Sequence, residues 1–170
     1  MMMTNPQKNK KDFEQGLNVA MRYLSYQPRT KHETICELGK KHISDDIIRQ
    51  VIQYLQNHNF INDLDFARLY IESKEKYKPR SKFAFRYILK QKGIDSQILD
   101  SLLESYDDEA LARKAIALKL NTWQNFDTDI FKKKAMNHLK YRGFSFDVCL
   151  STINYFIEAQ KTNNEHQTNY

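Results

Sequence analysis

The chain has 170 residues, of which 28% are charged and 41% hydrophobic, and a formal net charge of +6. Its four glycines and three prolines are too few for the many tight turns of an all-β sandwich or barrel, so helices are favoured. No apolar run reaches the roughly 20 residues of a membrane span, and no apolar stretch follows the charged N-terminus as in a signal peptide. A cytoplasmic protein is expected.

The first part of the chain has the residue spacing of three short helices. Apolar residues from Phe13 onward recur at helical intervals, and Pro28 is expected to end that helix. A second helix is indicated around Ile35 and Leu38. The third follows Ser44, a good N-cap, and the two acids after it favour the positive end of the helix dipole. Its buried side is predicted to consist of five apolar residues: Ile47, Ile48, Val51, Ile52 and Leu55.

The same layout returns twice, at intervals of about fifty residues, which is typical of stacked supersecondary units. Residues 28–31 (Pro-Arg-Thr-Lys) recur as residues 79–82 (Pro-Arg-Ser-Lys). Gly93 and Gly143 stand at equivalent places where a helix must end in the left-handed conformation, which suits glycine. His42 occupies that place in the first repeat, and it tolerates the conformation less well.

These patterns predict an all-α protein, an elongated array of three tandem three-helix repeats that resemble helix-turn-helix units. About nine helices are expected, and each repeat should pack mainly on its neighbour. The expected boundaries, in chain order, are a disordered basic tail at 1–11, repeats at 12–60, 61–106 and 107–160, and a disordered tail at 161–170.

No residue pattern indicates catalysis. Cys36 and Cys149 lack the spacing of metal ligands and are expected to be reduced thiols. His138 shares a helix face with apolar residues, so a core or boundary histidine is favoured over a ligand. Trp123 is expected in the core. We therefore expect no enzymatic activity, no metal and no cofactor.

Positive charge is concentrated in residues 74–92, which contain eight basic residues and one acid. A helix turns 100° per residue, so Lys82, Arg86 and Lys90 form one narrow stripe. The opposite face is predicted to be core and consists of Ala84, Phe85, Ile88 and Leu89. This segregation of charge favours contact with an acidic partner.

A solvated lysine-rich face is the simpler explanation of such a stripe. Two features favour a binding surface instead. Phe83 and Tyr87 border the stripe, away from the predicted core, and aromatic side chains beside cations suit a phosphate backbone or an acidic protein. Lys31, Lys82 and Lys132 recur near helix starts, where the dipole disfavours a cation, so their repetition favours a row of contacts.

Four segments occur in an order and spacing typical of one bacterial family. They are Tyr23-Leu24-Ser25 with Arg29-Thr30 and Glu33; Phe60-Ile61-Asn62-Asp63 with Phe66-Ala67 and Tyr70; Leu89-x-x-Lys92-Gly93-Ile94; and Leu139-x-x-Arg142-Gly143-Phe144-Ser145. Over residues 12–157 the chain thereby resembles the RecX family, regulators of the RecA recombinase. Thr34, Asn59 and the pair Pro79-Arg80 depart from the residues usual in the family.

The resemblance implies a monomeric regulator that binds the RecA recombinase and has no enzymatic activity of its own. Family members typically lie along the groove of the RecA–DNA filament and suppress its extension, ATP hydrolysis and strand exchange, in recombination, DNA repair and the SOS response. Weak, salt-sensitive contact with DNA is expected, and no contact with a membrane. The predicted filament- or DNA-contacting residues are basic: Arg80, Lys82, Arg86, Lys90, Lys132, Lys133, Lys134, Lys140 and Arg142.

Two alternatives remain open. The protein could bind DNA directly through helix-turn-helix-like units, although no helix presents the usual Arg, Asn and Gln side chains to base edges from its first turn. It could also be a helical adaptor for an acidic protein. Binding to naked DNA at physiological salt separates the first alternative from the other interpretations.

Overall fold

The computed structural model describes residues 6–123 and 125–167, with the side chains of 7–123 and 125–159. Within these residues the protein contains ten α-helices and no strands, which confirms the all-helical class. The helices are α1 (Pro6–Tyr26), α2 (Lys31–Lys40), α3 (Asp45–Asn57), α4 (Asp63–Tyr77), α5 (Lys82–Gln91), α6 (Ser96–Glu104), α7 (Asp108–Ala117), α8 (Leu120–Trp123), α9 (Thr128–Tyr141) and α10 (Phe146–Gln167).

The helix ends and the helix count differ from the sequence-based expectation. Helix α1 begins at Pro6, so the described part of the expected N-terminal tail is helical. Helix α10 continues to Gln167, so most of the expected C-terminal tail is helical too. Residues 1–5 and 168–170 lie outside the described residues. The short helix α8 is additional to the nine expected helices.

The chain divides into two compact units. The described residues up to Leu69 form the first unit together with Leu89–Leu99. Tyr70–Ile88 and the described residues from Asp100 onward form the second unit. Helices α1, α2 and α3 pack on one another in the first unit, as α7, α9 and α10 do in the second. The middle repeat expected at 61–106 contributes to both units, and the division into three repeats stays a prediction.

The core of the first unit is centred on α3. All five apolar residues predicted for its buried side are buried, and Leu38 of α2 and Ala20 of α1 pack in the same cluster. Gly16 lets α1 approach α3 closely, since a Cβ at this position would lie 3.1 Å from Ile47 and 3.2 Å from Val51. The acids after Ser44 lie in the first turn of α3, although the Ser44 side chain itself makes no capping hydrogen bond.

Three equivalent turns end α2, α5 and α9. Gly93 and Gly143 have φ angles of 80° and 84°, and His42 has a φ of 57°. In each turn this residue donates its N–H to a carbonyl in the last turn of the preceding helix, at 2.9 Å. The left-handed turns predicted from the repeat are therefore confirmed, including the one that contains histidine.

The core of the second unit is built from α5, α7, α9 and α10. Phe85, Phe131, Leu111 and Leu139 are almost fully buried there. Trp123 of α8 is buried as expected and makes an edge-on contact with the Phe131 ring, with centroids 6.3 Å apart. No helix in the described part of the chain combines the length and apolar character that a membrane crossing requires.

Candidate functional site

Helix α5 carries the predicted basic stripe on the face opposite its buried residues. Phe85 and Leu89 are fully buried, whereas Phe83 is 71% exposed. Tyr87 is exposed as well, so the prediction for both bordering aromatics is confirmed. The stripe is divided between the two units, because Lys82 and Arg86 belong to the second unit and Lys90 to the first. We therefore describe the residues of each unit separately.

Within the second unit, Arg86 forms an ion pair with Asp100 of α6. This guanidinium is partly neutralised inside the unit and is less available to a partner than the sequence suggests. The remaining predicted cations on α9 are exposed lysines. Lys134 lies 5.0 Å from the centroid of the Phe126 ring, and Lys140 lies 5.6 Å from that of Phe146. These two ammonium groups remain exposed although a ring lies beside each of them.

The start of α2 packs on the turn after α5, and we call this contact the first joint. The Thr30 hydroxyl donates to the Lys92 carbonyl at 2.6 Å and accepts from the Glu33 N–H at 3.1 Å. The Glu33 carboxylate in return accepts from the Thr30 N–H at 3.1 Å, completing a capping box. The Lys31 N–H donates to the Asp63 carboxylate at 2.8 Å. All of these residues belong to the first unit.

The start of α5 packs in the same way on the turn after α9, and we call this contact the second joint. The Ser81 hydroxyl donates to the Gly143 carbonyl at 2.7 Å and accepts from the Ala84 N–H at 3.1 Å. The Lys82 N–H donates to the Asp108 carboxylate at 2.7 Å. In both joints the hydroxyl and its carbonyl partner are 62 residues apart. The second joint lies entirely in the second unit.

The joints explain why lysines stand at two helix starts, and this explanation requires no binding partner. Lys31 and Lys82 are the first residues of α2 and α5, where the carboxylates of Asp63 and Asp108 bind their N–H groups and offset the positive end of the helix. Lys132 is not at an equivalent helix start, because α9 begins one turn earlier, at Thr128. The expected helix-start position is therefore wrong for Lys132, and the other two lysines are explained within the fold. The row of partner contacts stays a prediction.

Close packing at each joint requires a glycine. A Cβ on Gly93 would lie 2.1 Å from the Cβ of His32, and a Cβ on Gly143 would lie 2.8 Å from that of Ala84. Both distances are far below van der Waals contact. The left-handed backbone and the close approach of the neighbouring helix thus act together at these two positions.

The charge of the first joint is balanced by an acid. The ammonium nitrogen of Lys92 lies 2.7 Å from a carboxylate oxygen of Glu33. Burial raises the pKa of Glu33, but hydrogen bonds from the Lys92 side chain and the Thr30 N–H, with the charges of Lys92 and Arg29, outweigh it and lower the pKa overall. The cation that ends α5 is therefore paired inside the fold.

The charge of the second joint is not balanced in this way. Arg142, which occupies the place of Lys92, donates through Nη1 to the Pro79 carbonyl and through Nε to His138 Nε2, both at 2.9 Å. Burial lowers the pKa of Arg142, and the nearby charge of Arg80 lowers it further. Among the described residues, no carboxylate forms an ion pair with Arg80 or Arg142.

His138 has the boundary position that the sequence predicts. Burial, followed by the charges of Arg142 and Lys119, lowers its pKa to about 4. Its imidazole is therefore neutral at pH 7 and can accept the hydrogen bond from Arg142. The edge of the Trp123 ring system packs against it, with centroids 5.3 Å apart. In the part of the chain that the structure describes, no group of three or more His, Cys, Asp or Glu side chains is placed to hold a metal ion.

Comparisons with known proteins agree on one family. Residues 17–55 match the family model of the first three-helix domain of RecX, and residues 62–103 match that of the second. The regulatory protein RecX of Prosthecochloris aestuarii is 33% identical over 142 residues, covering 84% of this chain and 93% of that protein. The RecX protein of Finegoldia magna is 33% identical over 141 residues, covering 80% and 69% of the two chains.

A solved structure shows the same fold. The crystal structure of RecX from Lactobacillus salivarius superposes with a TM-score of 0.72 at 28% sequence identity. The superposition covers 86% of this chain and 97% of that chain. The similarity therefore extends over nearly the whole of both molecules.

Proposed function

Because the chain belongs to the RecX family, we propose that it binds the filament that the RecA recombinase forms on DNA and restrains that filament. The proposed effect is to limit filament extension, ATP hydrolysis and strand exchange during recombination and DNA repair. The protein acts as a cytoplasmic monomer and catalyses no reaction itself. DNA within the filament supplies a weak, salt-sensitive part of the contact.

The observation that carries this proposal is the similarity to RecX regulatory proteins along most of the chain. The positive surface supports it. Lys90, Lys132, Lys133, Lys134 and Lys140 are exposed, so their charges are available to an acidic partner. Four further predicted cations are half-buried, so less of each charged group is available to a partner: Arg80, Lys82, Arg86 and Arg142.

Base-specific DNA binding receives less support from the same helices. In a helix-turn-helix unit, the first turn of the last helix approaches base edges in the major groove. Here, Asp45 and Asp46 occupy the first turn of α3, and Asp147 that of α10. Carboxylates at these positions repel the DNA backbone. Contact through phosphate charge within the filament is therefore the better interpretation.

The test is the DNA-dependent ATPase rate of RecA, measured on preformed filaments at near-physiological salt with increasing amounts of this protein. We expect the rate to fall at protein concentrations well below that of RecA. The triple variant K132E/K133E/K134E should inhibit more weakly, because three exposed cations are reversed. The triple variant K10E/K11E/R22E, which reverses three exposed cations of α1, serves as the matched control.

An unchanged ATPase rate over the whole titration, with the protein folded, would refute the proposal. Salt-sensitive binding to naked DNA in that buffer would then favour the direct DNA-binding alternative. Full inhibition by the triple variant would be consistent with RecA as the partner, but it would show that the lysines of α9 are not part of the contact.

A further inference from the structure

Both joints have a capping hydroxyl that bonds to a carbonyl of the facing turn and an aspartate at the first helical N–H, but the arginine that precedes each joint has different surroundings. At the first joint the guanidinium of Arg29 lies 4.4 Å from the centroid of the Tyr23 ring. The side-chain amide of Gln27, oriented to satisfy both groups, accepts from both terminal nitrogens of Arg29 at 2.7 Å. Glu33 is close enough for the charge of Arg29 to act on it. The two terminal nitrogens of this arginine therefore have a partner inside the fold, whereas its buried Nε has none.

The second joint lacks each of these partners. The repeat that relates Pro28 to Pro79 places Arg80 at the position of Arg29. The same alignment replaces the ring, the amide and the carboxylate around Arg29 with two lysines and an alanine, none of which can neutralise Arg80. Tyr23 is replaced by Lys74, Gln27 by Lys78, and Glu33 by Ala84.

The backbone holds Arg80 beside Arg142. The Ser81 N–H donates to the Arg142 carbonyl at 3.1 Å, and the Arg142 guanidinium donates to the Pro79 carbonyl at 2.9 Å. Arg142 therefore contacts the residue on either side of Arg80. The positive charge of Arg80 is close enough to lower the pKa of Arg142, so two half-buried cations lie near each other with no acid between them.

The guanidinium of Arg142 keeps donors for a ligand. A guanidinium has five N–H donors, and in the described residues those of Arg142 bond only to His138 and Pro79. The donors of Arg80 have no hydrogen-bond partner among the described residues. Planar guanidinium groups match the oxygens of a phosphate and bind it with paired hydrogen bonds.

We propose that Arg80 and Arg142 together bind a phosphate group of a DNA backbone. We infer a polyanionic ligand because three further cations lie close to Arg80 in sequence: Lys74, Lys78 and Lys82. A single acidic side chain would need only the arginine pair, whereas successive phosphates need this longer row. The inference rests on the proposed function in one respect, that the RecA filament presents DNA to this surface.

The test restores to the second joint the acid that the first joint contains. In Ala84→Glu, a carboxylate enters the position equivalent to Glu33 and pairs with Arg142. We expect the affinity for a fluorescein-labelled single-stranded oligothymidine, measured by anisotropy without RecA, to fall about tenfold. The log–log salt dependence should become shallower by about 0.7, the value for one phosphate contact on a single strand.

The design guards against a folding artefact. The N–H of residue 84 still donates to the Ser81 hydroxyl in Ala84→Glu, while the Ser81 N–H remains on the Arg142 carbonyl. Ala84→Gln has the same size without the charge, so it reproduces any change in packing against Gly143, and it should bind the oligonucleotide like the natural protein. Urea unfolding of each variant checks that α5 stays folded. Arg80→Gln removes a guanidinium that has no hydrogen bond within the described residues and should weaken binding as Ala84→Glu does.

The outcomes separate this site from the proposed function. Equal oligonucleotide affinity for the natural protein, Ala84→Glu and Arg80→Gln overturns the phosphate site, even where RecA ATPase inhibition is intact. Loss of RecA inhibition in Ala84→Glu with unchanged oligonucleotide affinity also overturns it, and assigns the arginine pair to an acidic surface of RecA. Weaker oligonucleotide binding in both variants supports the site, even where no inhibition of RecA is found.

Discussion

The first and second joints share two kinds of hydrogen bond and carry different charges. Each has a hydroxyl that caps one helix and bonds to the end of another, and each has a carboxylate at the first N–H of the capped helix. At the first joint Glu33 neutralises Lys92, whereas Ala84 leaves Arg142 without an acid. The backbone contacts therefore maintain the packing, and the exchanged side chains are free to serve binding.

The largest expected effect concerns the glycines that both joints require. Gly93→Ala should destabilise the protein by about 3 kcal/mol, because the new Cβ meets His32 and the backbone is left-handed. Gly143→Ala should cost less, since its nearest contact is longer. The free energy of unfolding from urea titration measures both changes. A smaller loss at Gly93 than at Gly143 would contradict this account of the joints.

Gly39 supplies the matched control for those substitutions. It lies inside α2 at an exposed position, and a Cβ there would meet nothing within 4 Å. Gly39→Ala should therefore stabilise the protein by about 0.5–1 kcal/mol.

The next effect concerns the hydroxyls of the two joints. Thr30→Ala and Ser81→Ala should each cost about 2 kcal/mol, because a helix loses its cap and a carbonyl on the facing turn loses its partner. Ser44 is the control, since its side chain makes no capping hydrogen bond. Ser44→Ala should change the free energy of unfolding by less than about 0.5 kcal/mol. Similar losses for all three would show that the long-range bonds contribute little.

The last effect is absent at neutral pH and is a difference between the joints in their response to acid. The pKa of His138 in the folded protein, about 4, is below its ordinary value of 6.5. The unfolded chain therefore binds a proton first, and stability falls as the pH drops from about 6.5 to 4. Glu33 contributes stability that is present above its ordinary pKa of 4.5 and is lost as the pH falls through the lower folded value.

Stability measured from pH 7 to pH 3 should show the two windows separately. His138→Gln should remove the loss between about pH 6.5 and 4, and Glu33→Gln should reduce the further loss below pH 4.5. A histidine proton signal that titrates near pH 6.5 in the folded protein, and that His138→Gln removes, would contradict the first assignment.

Helix periodicity and turn residues were sufficient to predict the fold class, the buried face of α3 and the left-handed turns. Each of these depends on residues within a few positions of one another. Local signals failed where two of them compete. The repeat places Lys132 at a helix start, but Asp127 caps α9 a turn earlier by accepting from the N–H groups of Asp129 and Ile130.

The candidate site was predicted only as a set of cations. Residue spacing does not reveal contacts between distant segments. Two such contacts are the ion pair of Arg86 with Asp100 and the hydrogen bond of Arg142 to the Pro79 carbonyl. One signal was present in the sequence and was missed. Aligning the repeats places Ala84 opposite Glu33, so the second repeat has lost an acid that the first one keeps.

The turn at His42 has a consequence for how such a protein can lengthen. Gly93 and Gly143 each receive the start of a helix from the preceding repeat, and neither tolerates a Cβ. His42 adopts the same backbone conformation with an exposed imidazole in place of that free space. If a further helical unit were inserted ahead of α1, the start of its helix could not pack closely on the turn after α2 unless His42 were replaced by glycine. Close packing of a further helix start is thus obstructed at this one turn by the His42 side chain.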